Sequence, residues 1–374
     1  MTTTIDGTNV STFAAGVTCT ALNGGQLGGR RNIVYNGEMK VAQRSASVAG
    51  LGAASGYFTL DRWAMSNGDA SAGRYTMAQV ADGPAGFANC LKLTTTTADT
   101  SIAAGEALVL GTKFEGQDVQ QLQKGTATAK QVTVSFYVKG NANALYVCEL
   151  EDNDNARINT QSFAVTTAWN RIELTFAADT SDPLDDDNAK SLSLNWWLHG
   201  GATYTGGTFA SNTWADTVQA NRMAVGSRTS IFDATSRTFF ITGVQMELGD
   251  TATPFEHRSY GEELALCQRY CQVIYPAGDQ GFAVGFNRST TLASTIMTLP
   301  TEMRSAPTVT FSAQNAFQVH FANSVAQSTA MALGEVNTKA VTINATVSSG
   351  LTAGQGIQIR EHTAGAWLNI SSEL

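Results

Sequence analysis

Over residues 31–260 the apolar side chains recur at every second position, and this alternation limits what the chain can fold into more than any other feature. In Gln131–Lys139, Val132, Val134, Phe136 and Val138 face one way, and Thr133, Ser135, Tyr137 and Lys139 the other. Ile172, Leu174 and Phe176 repeat the pattern against Arg171, Glu173 and Thr175. Leu192, Leu194, Trp196 and Leu198 repeat it against Ser191, Ser193, Asn195 and Trp197. A strand sends successive side chains to opposite faces, so each segment has one face to bury and one to leave outside. Further strands are expected at 57–66, 74–80, 89–95, 106–114, 145–151 and 238–247, separated by Gly, Asn and Asp clusters. Short strands punctuated by turn signals predict a jelly-roll β-sandwich over 31–259.

Helical periodicity is confined to residues 260–270, where good helix formers follow an acidic first turn and predict one short linking helix. Strands resume beyond it, at 270–275, 282–286, 292–298, 308–311, 317–321, 340–347, 357–361 and 367–370. They predict a second β-sandwich over 271–374 and complete an all-β fold class. Residues 1–30 carry few large apolar side chains beyond Ile5, Val10, Phe13, Val17 and Leu22, and run into the glycine-rich stretch Asn23–Gly29. Such a segment buries too little surface to offset its ordering entropy. It is expected to be an extended attachment arm that orders against another chain, a frayed terminus being the alternative. Neither a heptad seam nor an internal repeat is visible, so any oligomer would be held by globular faces.

Composition narrows the function classes. Charged residues make up 14% of the 374-residue chain, and the net charge of −8 offers no basic surface to a phosphate backbone, so nucleic acid is excluded as a partner. The opening MTTTIDGTNVSTF lacks the basic and apolar regions of a signal peptide, and no long apolar run occurs. The expectation is a protein made in the cytoplasm that neither spans a membrane nor is anchored to one. The 5 cysteines read as free thiols; Cys267 and Cys271 are four apart on the predicted helix, without nearby ligands to complete a metal site.

His199, His257, His320 and His362 fall in no metal-binding or nucleophile motif, and no Walker sequence is present, so neither catalysis nor a cofactor is expected. Two acidic groups, Glu149, Glu151, Asp152 and Asp154 in one and Asp179, Asp182, Asp185, Asp186 and Asp187 in the other, are read as Ca²⁺ ligands or solvated turns; Asp185, Asp186 and Asp187 are the closest to a metal site. Glycan binding is the activity that the residue types fit. Sugars stack on exposed aromatic rings while Asn, Asp and Gln bond their hydroxyls. Tyr137 and Trp197, on the faces away from the core, and Tyr204 and Trp214, in the loop 200–221, are the candidates; coverage by a neighbouring subunit is the alternative.

Three strings carry a resemblance. Arg31–Met39, with Gln43-Arg44 and Tyr57–Trp63, resembles the opening of jelly-roll domains of a carbohydrate-module type in bacteriophage tail-fibre and virion-surface structural proteins, although Ala42 stands where an aromatic is usual. Val244–Gly249, with Ala252–Tyr260 and Glu262–Tyr270, is similar to the string that closes such domains. Leu299–Val309 is similar to the start of the β-domain that follows them. The resemblance implies a virion component, commonly a homotrimer, sometimes recognising a host-surface glycan. A tail fibre or fibre adaptor attached to other tail proteins through residues 1–30 is the main expectation. A capsid-decoration or baseplate protein and an envelope-polysaccharide depolymerase are the alternatives. Asp61, Arg62, Trp63, Pro254, Phe255, Glu256 and Arg258 are expected to be structural: the charged members pair, Pro254 ends the last strand and Phe255 plugs the base of the sandwich.

Overall fold

The computed structural model describes residues 30–69, 71–276, 281–322 and 324–374. The expected attachment arm lies outside them, apart from Arg30. The chain is all-β, as the alternation predicts, with short helices between some of the strands. A six-stranded sheet runs in the order β1 (Ser47–Leu51), β4 (Arg74–Val80), β5 (Cys90–Thr97), β13 (Thr238–Leu248), β7 (Val132–Gly140), β10 (Asn170–Phe176). A seven-stranded sheet runs in the order β12 (Ala215–Asp216), β9 (Arg157–Val165), β8 (Ala144–Asp152), β11 (Lys190–Gly200), β6 (Ala107–Glu115), β3 (Ala64–Asn67), β2 (Gly56–Tyr57).

The inward residues of the two sheets form one core, in which the aromatic rings interlock. Phe136 of β7 meets Trp196 of β11 edge-on at 5.5 Å, and Trp196 lies 5.5 Å from Trp63. Phe163 and Tyr146 continue the contact towards Phe239. Such ring pairs add roughly 0.5–1.5 kcal/mol each beyond the area they bury. Trp63 can be buried completely because its indole N–H donates to the Asn36 carbonyl at 3.1 Å.

The linking helix runs Tyr260–Gln268, and its start is fixed by a capping box in which Ser259 and Glu262 satisfy each other's backbone N–H. Beyond it the strands differ from expectation. In place of a second sandwich, β15 (Gly281–Asn287), β16 (Leu292–Thr298), β20 (Ala340–Val347), β19 (Ser324–Val336), β18 (Phe317–Phe321) and β21 (Gly356–Glu361) close into a barrel. The cause is β19, a long strand of small and polar residues that pairs with β18 on one side and β20 on the other. Without that strand the ladder stays open; with it, no strand edge is left unpaired. A three-stranded sheet of β14 (Cys271–Ile274), β22 (Leu368–Ser371) and β17 (Thr308–Phe311) stands beside the barrel.

The motif residues sit where the closing segment meets the opening one. Glu256 accepts the backbone N–H groups of Arg31 (3.0 Å) and Asn32 (2.8 Å). Arg258 donates to the carbonyls of Asn32 and Val34 and to Glu263. Asp61 holds Gln43 and Arg44, whereas Arg62 bonds Glu373 at 2.6 Å and lies 3.4 Å over the Tyr270 ring. Phe255 does not plug the base of the sandwich. It lies half-buried on the outer side of the six-stranded sheet, against Phe87 (5.1 Å) and His257 (4.9 Å). Strand β13 stops at Leu248, ahead of Pro254, because the Asp250–Thr253 turn folds back to let the Thr253 N–H and hydroxyl bond Glu247.

Glu373→Ala would leave the Arg62 guanidinium, 1% exposed, without a carboxylate. Removing one partner of a buried pair typically costs about 3–5 kcal/mol. A urea melt is expected to show a loss of that order.

Candidate functional site

The outward face of the seven-stranded sheet is built in rungs that the strand register dictates. One rung places Ser66, Val109, Trp197 and Val147 side by side, and the next places Ala64, Gly111, Asn195 and Glu149. A third carries Lys113, Ser193 and Glu151. The alternation that fills the core with Leu194, Trp196 and Leu110 therefore sends Asn195, Trp197 and the carboxylates to the other side. Gly111 is needed here, since a Cβ at that position would come within 2.5 Å of the Asn195 side-chain oxygen.

Over these rungs lies a groove of about 300 Å³, bounded by Ser66, Asn67, Lys113, Lys190, Asn195, Trp197, Tyr204, Gln219 and Arg222. Tyr204, on the short helix Ala202–Thr205, stands 5.1 Å from the Trp197 ring, and the Arg222 guanidinium covers the same indole at 5.6 Å. Trp197 is consequently only 5% exposed, and Tyr204, half-exposed, is the more accessible ring.

A charged network fixes the floor. Arg222 bonds Glu149 and Glu151, each at 2.6 Å, and its Nε donates to Gln219 at 2.8 Å. Asn195 donates to both carboxylates at 3.1 Å, and the Trp197 indole N–H to Glu149 at 3.1 Å. Glu149 Oε1 thus takes three donors, while its Oε2 is buried without a hydrogen-bond partner. Burial pushes the Glu149 carboxyl up to about 7 despite the opposing charge of Arg222. At the far end, Lys113 is lowered by burial and by the neighbouring Lys190 and Arg62 cations.

The four aromatic candidates do not share one platform. Trp197 and Tyr204 line the groove; Tyr137 lies on the outer face of the opposite sheet, half-buried 5.3 Å from Phe87. Trp214 donates to the Ala177 carbonyl at 2.7 Å and packs near the Lys124 ammonium. Period-two reasoning assigns a face relative to the core but not which of the two sheets owns it, and so it cannot bring outward rings together. Asn195 was legible as outward and Glu149 and Glu151 only as members of an acidic group, whereas Arg222 and Gln219 arrive from a loop with no periodic signal.

Asp185, Asp186 and Asp187 do not converge as Ca²⁺ ligands. They are exposed, and Asp187 is used in bonding the Ala189 N–H. Among the described residues no group of three or more His, Cys, Asp or Glu could hold a metal ion. Where acids do converge, a lysine already supplies the cation: the Lys124 ammonium meets Asp152 (2.5 Å), Asp179 (3.2 Å) and the carbonyls of Ser181 and Asp182. Cys90, Cys148, Cys267 and Cys271 are buried free thiols.

No family model matches the chain, and no curated protein matches it in sequence. Among solved structures, a family 11 carbohydrate-binding module of a Clostridium thermocellum cellulosomal cellulase is similar over 57% of this chain and 100% of its own, with 14% identity and a TM-score of 0.27. A xylan-binding domain from Paenibacillus barcinonensis is similar over 62% of this chain and 100% of its own, with 13% identity and a TM-score of 0.28. The enzymatically active domain of Bacteriophage CBA120 tailspike protein 4 is similar over 58% of this chain and 21% of its own, with 12% identity and a TM-score of 0.29. Likenesses at this level decide neither ligand nor activity, which rest on the residues of this chain.

The raised Glu149 has a consequence for stability. Its folded-state pKa of about 7 lies above the ordinary 4.5, so the native state binds the extra proton and loses stability as pH rises from 4.5 through 7. Glu149→Gln is expected to flatten this part of the profile, measured by urea melts at pH 5 and pH 7.5. Asp61, pushed up to about 6 mainly by burial, leaves a smaller slope of the same sign.

Proposed function

We propose that the groove on the outer face of the seven-stranded sheet binds an oligosaccharide. The observation that carries this reading is the arrangement of the face itself. A half-exposed ring, Tyr204, stands beside hydrogen-bonding groups that a fixed network aims into an open channel. Sugar rings present apolar C–H faces to an aromatic and equatorial hydroxyls to amides, carboxylates and ammonium groups. The network is held before any ligand arrives, which lowers the ordering cost of binding.

The groove binds rather than cleaves. A glycosidase needs its acid and its second carboxylate to act independently on opposite sides of the scissile bond. Here Glu149 and Glu151 share one guanidinium and one amide. We further propose that the chain is a virion-surface component, a tail fibre or fibre adaptor, assembled as a homotrimer and attached through residues 1–30. Support for this part comes from the opening and closing strings and from their common use here, clamping one end of the sandwich shut.

Tyr204→Ala is expected to weaken binding about tenfold, the loss of roughly 1.4 kcal/mol from one stacking contact, with the melting temperature unchanged. Isothermal titration with the best oligosaccharide from a glycan array reads this; equal affinity in the variant would overturn the groove as the site. The same variant separates platform from interface: weakened binding with an intact oligomer supports the groove, and a dissociated oligomer supports a subunit contact. Sedimentation of the full chain as a monomer would overturn the trimer.

A further inference from the structure

At one end of the sandwich, beyond the groove, the chain brings together a hydroxyl, an imidazole and a carboxylate that the binding site does not use. The β11–β6 ladder slips between Trp197 and His199, so His199 pairs with the core residue Leu108 instead of continuing the groove face. Its ring turns into the sandwich end, packed at 5.1 Å against Phe232 and fully buried. His199 Nδ1 lies 2.8 Å from Ser230 Oγ, and Nε2 lies 3.2 Å from Glu106 Oε2. Glu106 is held in turn by the Ala103 N–H on its other oxygen, at 3.1 Å.

We propose that Ser230, His199 and Glu106 act as nucleophile, base and orienting acid in hydrolysis of a small acyl ester, such as an O-acyl group on a sugar hydroxyl. The proton positions follow from the partners. The Glu106 carboxylate accepts only, so Nε2 carries the hydrogen and Nδ1 is left as the acceptor for the Ser230 O–H. Ser230 Oγ also accepts the Phe232 N–H at 3.0 Å, which fixes its direction and leaves one lone pair for attack. Burial lowers the His199 pKa below its ordinary 6.5, which keeps the imidazole neutral and able to take a proton near pH 7.

Ser230 lies on the wall of a cavity of about 420 Å³, beside Ile102, Thr205, Met223 and Arg228. Ile102 and Met223 suit the apolar part of a short acyl chain, and Arg228, on the same wall, can offer positive charge to a developing oxyanion. In the first half of the reaction, Ser230 Oγ bonds the ester carbonyl carbon and its proton passes to His199 Nδ1. The C–O bond to the sugar then breaks, and the departing oxygen takes that proton. Water, deprotonated by His199, adds to the acyl-serine, and as the bond to Oγ breaks His199 returns that proton to Ser230 and the carboxylic acid leaves. The short helix Ala202–Thr205 carries Tyr204 into the groove and Thr205 into this cavity. The sugar half of the substrate rests on the groove reading; the reactive serine does not.

The test separates the two. The full chain is incubated with diisopropyl fluorophosphate, whose phosphorus takes Ser230 Oγ as fluoride leaves, and is read by intact mass and peptide mapping. The expected result is one adduct per chain on Ser230, absent in Ser230→Ala, with p-nitrophenyl acetate hydrolysis lost in the same variant. In Glu106→Gln the side-chain amide can donate to Nε2 and reverse the tautomer. Labelling is then expected to slow at least tenfold and to lose its dependence on pH below 6.5, a change that a purely structural carboxylate would not produce. An unlabelled Ser230 in the folded wild-type protein would overturn the proposal while leaving glycan binding untouched. Labelling of Ser230 in the wild-type protein would support it even where no oligosaccharide binds the groove, a result that would overturn the groove reading alone.

Discussion

The Arg62 guanidinium is buried at the junction between the sandwich and the segment that follows it, and a charge in that position needs partners from both. Glu373, from the end of the C-terminal region, supplies the carboxylate, and Tyr270, just past the linking helix, supplies the ring beneath it. A second buried acid works the same way: Glu115, at the end of β6, takes Arg269 at 2.6 Å and the Tyr270 hydroxyl at 2.5 Å. Neither charge is tolerable unless the C-terminal chain returns to the sandwich, since the desolvation of an unpaired buried ion amounts to several kcal/mol. The junction therefore fixes how the sandwich, the linking helix and the three-stranded sheet meet.

The sandwich in turn decides what reaches solvent. Its rings fill the space between sheets, and the same backbone that buries Trp196 leaves Trp197 and Asn195 on the outer face. One register slip separates two environments along β11. Before it, side chains face the groove, where Arg222 orders the carboxylates; after it, His199 enters the closed end beside Glu106. The proposed binding face and the proposed reaction centre thus stand on one strand without sharing a residue, and the helix that carries Tyr204 forms the wall between them.

Some of this arrangement was legible in the residues alone. The strands 132–140, 170–176 and 190–200 have strict alternation because only one face of each packs into the apolar core between the sheets, and they are found where that pattern places them. The linking helix was legible because Glu262 and Glu263 put an acidic first turn ahead of a run of good helix formers, and the structure adds the Ser259 cap. Strands β9 and β19 were not. Arg157–Val165 mixes Asn, Thr and Gln on both faces, and Ser324–Val336 is mostly small or polar, since barrel closure and neighbouring strands supply its partners. Hydrophobic period carries no information where hydrogen-bonded neighbours, rather than burial, stabilise a strand.

Determined by the sequence itself are the all-β class, the inward and outward assignment of each alternating strand, and the capped helix, because each depends on contacts a few residues apart. The tertiary structure alone decided that the C-terminal strands close into a barrel, that Trp197 and Tyr204 meet while Tyr137 and Trp214 stand elsewhere, and that Lys124 occupies the acidic cage. It also decided that Ser230, His199 and Glu106 converge across 31 and 93 residues of chain. Those outcomes hang on strand order, register and one bulge, which arise from packing between distant segments and leave no periodic trace along the chain.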